Sequence, residues 1–294
     1  MKDCPQHLPI LDINNGSYPA IRPYPIQPYR MGINDCTGLP SSPYKNIVSF
    51  YHQTQINEDI NPTIYPSKGA AIVCIIGNNK ASSVLVGAPT IPRTPEYLFP
   101  NVCCFVAIFW PDAGYGLFSD YINETIDTHI PLNYVFPALA SRFTEEMASA
   151  ESFLQRVYIF EIYLNHILRN HTPIPIQHRR LLNKIIDFSD SSSANVAGQL
   201  VSSEFSSRHV RRLCTKYLGI TPKLLAQIHR YQKTLRIMNM NPYINLSSLA
   251  IEMGYSDQSH FIKEFKRFQN MTPVEFLSQF ADLDSRKYQE TFRP

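Results

Sequence analysis

Residues 254–273 read GYSDQSHFIKEFKRFQNMTP, and helical spacing sorts their side chains into two sets. Phe261, Phe265 and Phe268 share one stripe and ask for burial. Gln258, Ser259, Ile262, Lys263 and Lys266 fall on the other side, where a core would not accept them. An amide, a hydroxyl and two amines on one helix face suit hydrogen bonding to base edges and pairing with phosphate. Glutamine can bond adenine through both amide groups, and lysine can reach guanine acceptors or a phosphate oxygen. A solvated face of any helical bundle has the same composition. The elements that hold the face must therefore decide between the two readings.

Those elements are legible on both sides. Leu246, Leu249, Ala250 and Met253 recur at helical spacing, with Asn245 as N-cap and Gly254 as the left-handed residue that ends the helix. Ser256 or Asp257 can cap the helix that follows. MTPVEF opens a third helix, with Thr272 as cap, Pro273 at the first helical position and Glu275 completing a capping box. Helix, tight turn, and helix with a polar, cationic outer face is the build of a DNA-reading helix-turn-helix.

The pattern occurs twice. In SSRHVRRLCTKYLGITP (206–222), His209, Val210, Arg212, Tyr217 and Thr221-Pro222 match His260, Phe261, Lys263, Phe268 and Thr272-Pro273, each 51 positions apart. Such self-similarity marks a duplicated supersecondary unit. Val210, Leu213 and Tyr217 form the buried stripe of this copy, while Ser207, Arg208, Arg211 and Arg212 point away. Upstream the first copy departs: Glu204 or a neighbour stands where the second has Gly254, and NVAGQLVSSEF has a weaker apolar rhythm. Between the copies, residues 222–240 give one uninterrupted helical pattern. Its 19 residues span roughly 28 Å, close to the ~34 Å between successive major-groove faces on one side of B-DNA.

Residues 176–280 resemble the DNA-binding domain of the AraC/XylS family of bacterial transcription regulators, and LAIEMGYSDQSHFIKEFKRFQNMTPVEF is close to that family's signature. The resemblance implies seven helices, two helix-turn-helix units joined by a long helix, and transcriptional control. Carried over by position, it implies that Ser207, Arg208, Arg211 and Arg212 face one groove. Gln258, Ser259, Ile262 and Lys263 would face the next, with Lys266 beside them. Double-stranded DNA is the expected partner, with RNA polymerase, a small-molecule effector and a second copy of the chain as further expected ones.

Charge follows the same division. From residue 173 onward 17 Lys and Arg stand against 10 Asp and Glu, a net of +7, while the first 172 residues carry 10 against 14, a net of −4. A cationic half joined to an anionic half fits a nucleic-acid module attached to a sensing or pairing module. Cysteines at 4, 36, 74, 103, 104 and 214 form no CxxC pair and have no histidine cluster beside them, so no zinc site is expected. Cys103 and Cys104 lie in an apolar run and are expected to be buried thiols, with a redox sensor as the alternative. No cofactor motif is present. The first residues lack a basic region followed by an apolar one, and VCCFVAIFW is too short to span a bilayer, so a cytoplasmic location is expected.

The first half reads as irregular, Pro-rich chain over 1–45, then strands in NIVSFYHQTQI, AAIVCII, SSVLVGA and VCCFVAIFW. GNNK between the second and third strands marks a hairpin. Two helices follow over 137–170, the second amphipathic through Phe153, Val157, Phe160, Ile162 and Leu164, and NHTPIPIQ (170–177) is the linker. The whole is α+β: residues 1–172 form a small antiparallel sheet or open barrel with two helices, and residues 173–294 form an all-α domain. FWPDAGYGLF (109–118) resembles the aromatic–Pro–Gly turn of sensory domains attached to some AraC-type regulators. Trp110, Tyr115 and Phe118 then stand either around an apolar pocket or in core and rim packing. Two other readings remain open: an enzyme targeted to DNA by this module, and a protein-interaction adaptor. Neither a compact four-cysteine module nor clustered histidines support catalysis.

Overall fold

The computed structural model describes residues 33–56, 63–77, 80–97, 99–118, 120–169, 175–190, 206–241 and 243–278. The chain before residue 33 and the first helix expected in the first copy (195–205) lie outside them. Among the described residues, strands β1 (Ile33–Gly38), β2 (Val48–Ile56), β3 (Ala71–Ile76), β4 (Ala81–Val86), β5 (Val102–Phe109) and β6 (His129–Pro131) pair into one antiparallel sheet in the order β1-β2-β5-β3-β4-β6. β3 and β4 form the expected hairpin, Ile76 opposite Ala81 and Gly77 N–H bonded to the Lys80 carbonyl at 2.9 Å.

Alternation along the central strands builds two apolar layers. On one face Tyr51, Ile72, Cys74, Leu85, Phe105, Ala107 and Phe109 join the main core; on the other Ile56, Val73, Ile75, Val84, Val86, Val102 and Cys104 form a smaller one with Tyr97. The first face is covered by α4 (Ala140–Ser149) and α5 (Phe153–Arg169). Phe153, Val157, Phe160 and Leu164 of α5 are buried, and Tyr51 lies 5.8 Å from Phe105 and 5.5 Å from Phe160. Arg156 is buried too. Its guanidinium donates to Gln53 Oε1 at 2.8 Å and to the Met147 and Ala150 carbonyls at the end of α4, where a positive charge is favoured.

Four expectations are corrected here. β1 lies inside the stretch read as irregular; INDCTG has no clean apolar alternation, and its order comes from the ladder it forms with β2. The expected turn in FWPDAGYGLF is a helix, α1 (Pro111–Phe118), because proline is accommodated at a first helical position. Ile162 is not on the buried stripe of α5 but 51% exposed, being out of phase with Phe160 and Leu164. The linker is shorter than 170–177, since α6 (Ile176–Asp190) begins after Pro175. Short helices α2 (Ile122–Thr125) and α3 (Leu132–Val135) flank β6, which has too few residues for a periodic signal.

The helical half continues with α7 (Ser207–Leu218), α8 (Pro222–Met240), α9 (Leu246–Glu252) and α10 (Gln258–Gln269), and residues 273–278 are again helical. Its core is continuous with that of the sheet half. α1 and α2 pack against α7. The Gln232 amide of α8 donates to the Pro66 carbonyl, and the Lys68 ammonium donates to His229 Nδ1 at 2.6 Å.

Gly219 closes α7 in the left-handed conformation, φ +66°, and a Cβ there would stand 2.7 Å from Ile126 Cδ1. Gly219→Ala should destabilise the chain by more than the roughly 1–2 kcal/mol of a left-handed L-residue, because Ile126 must also yield. A thermal melt beside that of Gly219→Ala/Ile126→Ala, in which the clash is relieved, measures the two parts.

Candidate nucleic-acid interface

α7 and α10 are built alike, cap for cap. Ser206 and Asp257 are their N-caps, accepting from the His209 and His260 backbone N–H. Gly219 and Asn270 end them at φ +66° and +61°. Thr221 then caps α8, accepting from Leu224 N, and Thr272 and Glu275 form the reciprocal capping box before residues 273–278, at 3.2 and 2.7 Å. Each pair is again 51 positions apart. Asn245 caps α9, and the left-handed Gly254, φ +73°, stands in the turn that leads into α10.

The buried stripes are those the spacing gave. In α7 Val210, Leu213, Cys214 and Tyr217 are buried, and burial pushes the Cys214 thiol up to about 12. In α10 Phe261, Phe265 and Phe268 are at most 1% exposed, and Tyr231 of α8 meets Phe265 and Phe268 at 5.9 and 5.3 Å. The Tyr231 hydroxyl donates to the Gln269 side chain. On the outer faces Ser207, Arg208, Arg211 and Arg212 of α7 are exposed, as are Gln258, Ser259, Lys263 and Lys266 of α10. Ile262 is half-buried against the core, so it stands at the edge of the outer face rather than on it. The Arg212 guanidinium lies 3.2 Å from His209 Nδ1. Across the described part of these faces the charged side chains are basic, and Glu264, the carboxylate of α10, is turned inward.

Glu264 belongs to a group that the sequence reading did not find. It is 5% exposed and accepts a two-pronged bond from Arg230 of α8, Nε at 2.9 Å and a terminal nitrogen at 2.8 Å. Gln227 donates a third bond at 2.8 Å. The Arg230 guanidinium also lies 4.1 Å from the ring centre of Tyr255, in the turn before α10. Burial and the Glu264 charge push the Tyr255 phenol up. The signal was present: 261, 264, 265 and 268 form an i, i+3, i+4, i+7 set, so Glu264 occupies a position where periodicity asks for an apolar residue.

Trp110 and Phe118 pack rather than line a pocket. Phe118 lies in the core 5.1 Å from Phe109, and the Trp110 indole N–H donates to the Lys45 carbonyl at 2.8 Å. The side chain of Tyr115 lies outside the described residues. Among the described residues no helix is long and apolar enough to cross a membrane.

Residues 203–279 match the family model of a helix-turn-helix domain, and the domain is of the AraC type. Over 80 residues the chain is 32% identical to an uncharacterised HTH-type transcriptional regulator, YdeC, of Bacillus subtilis (strain 168), the match covering 27% of this chain. The chain spans about a quarter (25%) of the length of that relative. Crystal structures of ToxT from Vibrio cholerae O395 and of a single-substitution variant of apo ToxT from Vibrio cholerae strain SCE256 superpose with TM-scores of 0.37 and 0.39 at 15% and 14% identity. Each superposition covers 77% of this chain and 95% or 96% of the other, too loosely to transfer anything residue by residue.

The Asp257 carboxyl is held below its ordinary range, first by the His260 backbone N–H and then by the Ser256 hydroxyl. A depressed folded pKa means that its stabilisation is complete above the ordinary carboxylate range and is lost as pH falls through the depressed value. Asp257→Ala should therefore melt lower than the parent at neutral pH, and the gap should close in acid. Melting temperatures of both chains across that range check the sign.

Proposed function

We propose that this chain, with its AraC-type helix-turn-helix domain at residues 203–279, is a sequence-specific DNA-binding transcription regulator. The observation that carries the reading is the pair of exposed cationic faces on α7 and α10, joined through the 19-residue helix α8. A helix of that length spans roughly 28 Å, which suits two reading helices in successive major grooves. Arg208, Arg211, Arg212 and Lys266 contact phosphates and set register, as the flexible cationic side chains of such helices do. Ser207, Gln258, Ser259 and Lys263 meet base edges, and Ile262, at the rim, offers methyl contact to thymine.

Residues 1–172 act as the regulatory half. Their α1 and α2 rest on α7, and their Pro66 and Lys68 touch α8, so a change in the sheet half reaches both the first reader and its connection to the second. An effector bound by that half would act through these contacts. The stripe of Tyr158 and Ile162, 52% and 51% exposed on α5, is the face for a second copy of the chain. Sedimentation at roughly tens of micromolar, where a specific contact is populated, should show a dimer that Ile162→Glu dissolves.

Gln258→Ala should leave the melting temperature unchanged, because the side chain is exposed and off the phenylalanine stripe. It should cost about 1–3 kcal/mol at one base position and relax specificity there. Lys266→Ala should weaken binding to all duplexes alike and reduce the salt slope by about one. Phe265→Ala should instead lose roughly 3–5 kcal/mol of stability through the cavity it leaves. Binding of each variant to a panel of single-base changes, beside its melting curve, tests the assignment. A Gln258→Ala chain that binds every member as the parent does would exclude α10 as a reader.

A further inference from the structure

We infer that the buried fork between Arg230 and Glu264 is a specificity-determining device: it fixes the rotation of α10 against α8, and thereby which bases the second reader meets. The inference rests on the DNA-reading proposal above and names the residues that set its geometry.

The duplication supplies the argument. Counting back 51 positions from Glu264 reaches Leu213, which is 2% exposed on the buried stripe of α7. The matching helix of the first copy therefore packs with a leucine at this position, and a carboxylate is not a requirement of the helix. Burying a carboxylate is unfavourable unless it is paired and its lone pairs are filled, and the net stability of such a pair is often no better than that of apolar residues of similar size. What the pair supplies instead is direction. The apolar burial of Phe261, Phe265 and Phe268 is non-directional, and their ring contacts restrict rotation of α10 about its axis only loosely. A guanidinium–carboxylate fork does not, because both bonds need coplanar groups.

The fork is held at more than one point. Gln227, one turn earlier on α8, bonds the same Glu264 oxygen as the terminal nitrogen of Arg230, at 2.8 Å. The guanidinium also lies over the Tyr255 ring, and Tyr255 precedes the Asp257 cap by two residues. From Tyr255 the contacts continue outward. Its ring meets that of His260 at 5.4 Å, and His260 Nδ1 lies 3.2 Å from the Ser256 hydroxyl, which donates to Asp257. His260 Nε2 also lies 3.8 Å from Glu264. One guanidinium thus touches the middle of α10 and the turn that launches it, immediately before Gln258 and Ser259. Arg230, Glu264 and Gln227 are positioning residues; none of them is on the exposed face.

The test uses the full chain. The parent is first used to select a motif from a pool of randomised duplexes, and Gln258→Ala then identifies the base positions read by α10. Binding to a single-base panel is measured for Arg230→Leu/Glu264→Leu, which removes both charges together and places at 264 the residue that stands at 213, and for Arg230→Lys, which keeps the charge but not the fork. The expected result is a melting temperature near that of the parent for the double variant, with discrimination at the α10 positions reduced about tenfold. Discrimination at the other positions and affinity for a non-matching duplex should be unchanged, and Arg230→Lys should lose discrimination at the same α10 positions. Two results would overturn the inference: discrimination at every position equal to the parent's, or a uniform loss of affinity with a lowered melting temperature, which marks a purely structural pair. A parent that selects no motif removes the DNA-reading proposal and this inference with it.

Discussion

Helix α8 is confined on more sides than an amphipathic helix ordinarily is, and the arrangement of the molecule follows from that confinement. Leu225, Ile228, Tyr231, Leu235 and Met238 are each fully buried, while Leu224, which belongs to the same apolar periodicity, is only partly buried. His229, Gln232 and Thr234 are buried as well, at 4%, 4% and 0% exposure. Their polar atoms are accommodated by direct bonds: Gln232 to Pro66, His229 to Lys68, and the Thr234 hydroxyl back to the Arg230 carbonyl. A third side carries Gln227 and Arg230 to Glu264. One helix thus carries α7, α10 and a loop of the sheet half at once. Buried polar groups that are all bonded confer direction on such a contact, where apolar area alone would confer only adhesion.

The consequence is that the sheet half and α7 share their packing. Ile122 and Ile126 stand against the end of α7, where Gly219 leaves no room for a side chain. Gly87 in turn lies against the Thr125 carbonyl, its N–H bonded to it at 3.2 Å, so the segment that touches α7 is tied directly to the end of β4. The Asp127 carboxylate, at a left-handed φ of +54°, accepts from the Thr90 backbone N–H and hydroxyl, and Arg93 binds the Asp127 and Thr128 carbonyls. The strand, the loop after it and α2 are therefore one braced segment. Displacement of that segment would be felt at α7 before it was felt at α10.

The helical half was largely readable from the chain because its signals are local. Caps at Asn245, Asp257 and Thr272, the left-handed glycine at 254 and the Phe261–Phe265–Phe268 stripe each depend on a few neighbouring residues, and all are found in place. What escaped notice depends on partners far away in sequence. β1 and β6 carry little pattern of their own and exist through ladders with β2 and β4. Ile162 was assigned inward from its apolar character, although phase with Phe160 and Leu164 turns it outward. The Arg230–Glu264 fork joins residues 34 positions apart, and only the misfit of a carboxylate on an apolar stripe announced it.

The two copies divide the work of staying folded differently. The second unit is rich in aromatic packing: Tyr255, Phe261, Phe265 and Phe276 follow one another at 5.1, 5.9 and 5.6 Å between ring centres, and Tyr231 of α8 meets Phe265 and Phe268. The edge-to-face pairs among them, Phe261–Phe265, Phe265–Phe276 and Tyr231–Phe265, contribute roughly 0.5–1.5 kcal/mol each beyond the area they bury. In the first unit Val210 replaces Phe261 and Cys214 replaces Phe265, so the same positions fill much less volume. Its one retained ring, Tyr217, bonds outward to His178 of α6 at 2.9 Å. α1 and α2 pack against α7 and add apolar surface to the same core. The copy with the weaker core is therefore the copy that the sheet half holds. α10 is thus packed by the rings of its own unit and of α8, whereas α7 also leans on α1 and α2 of the sheet half.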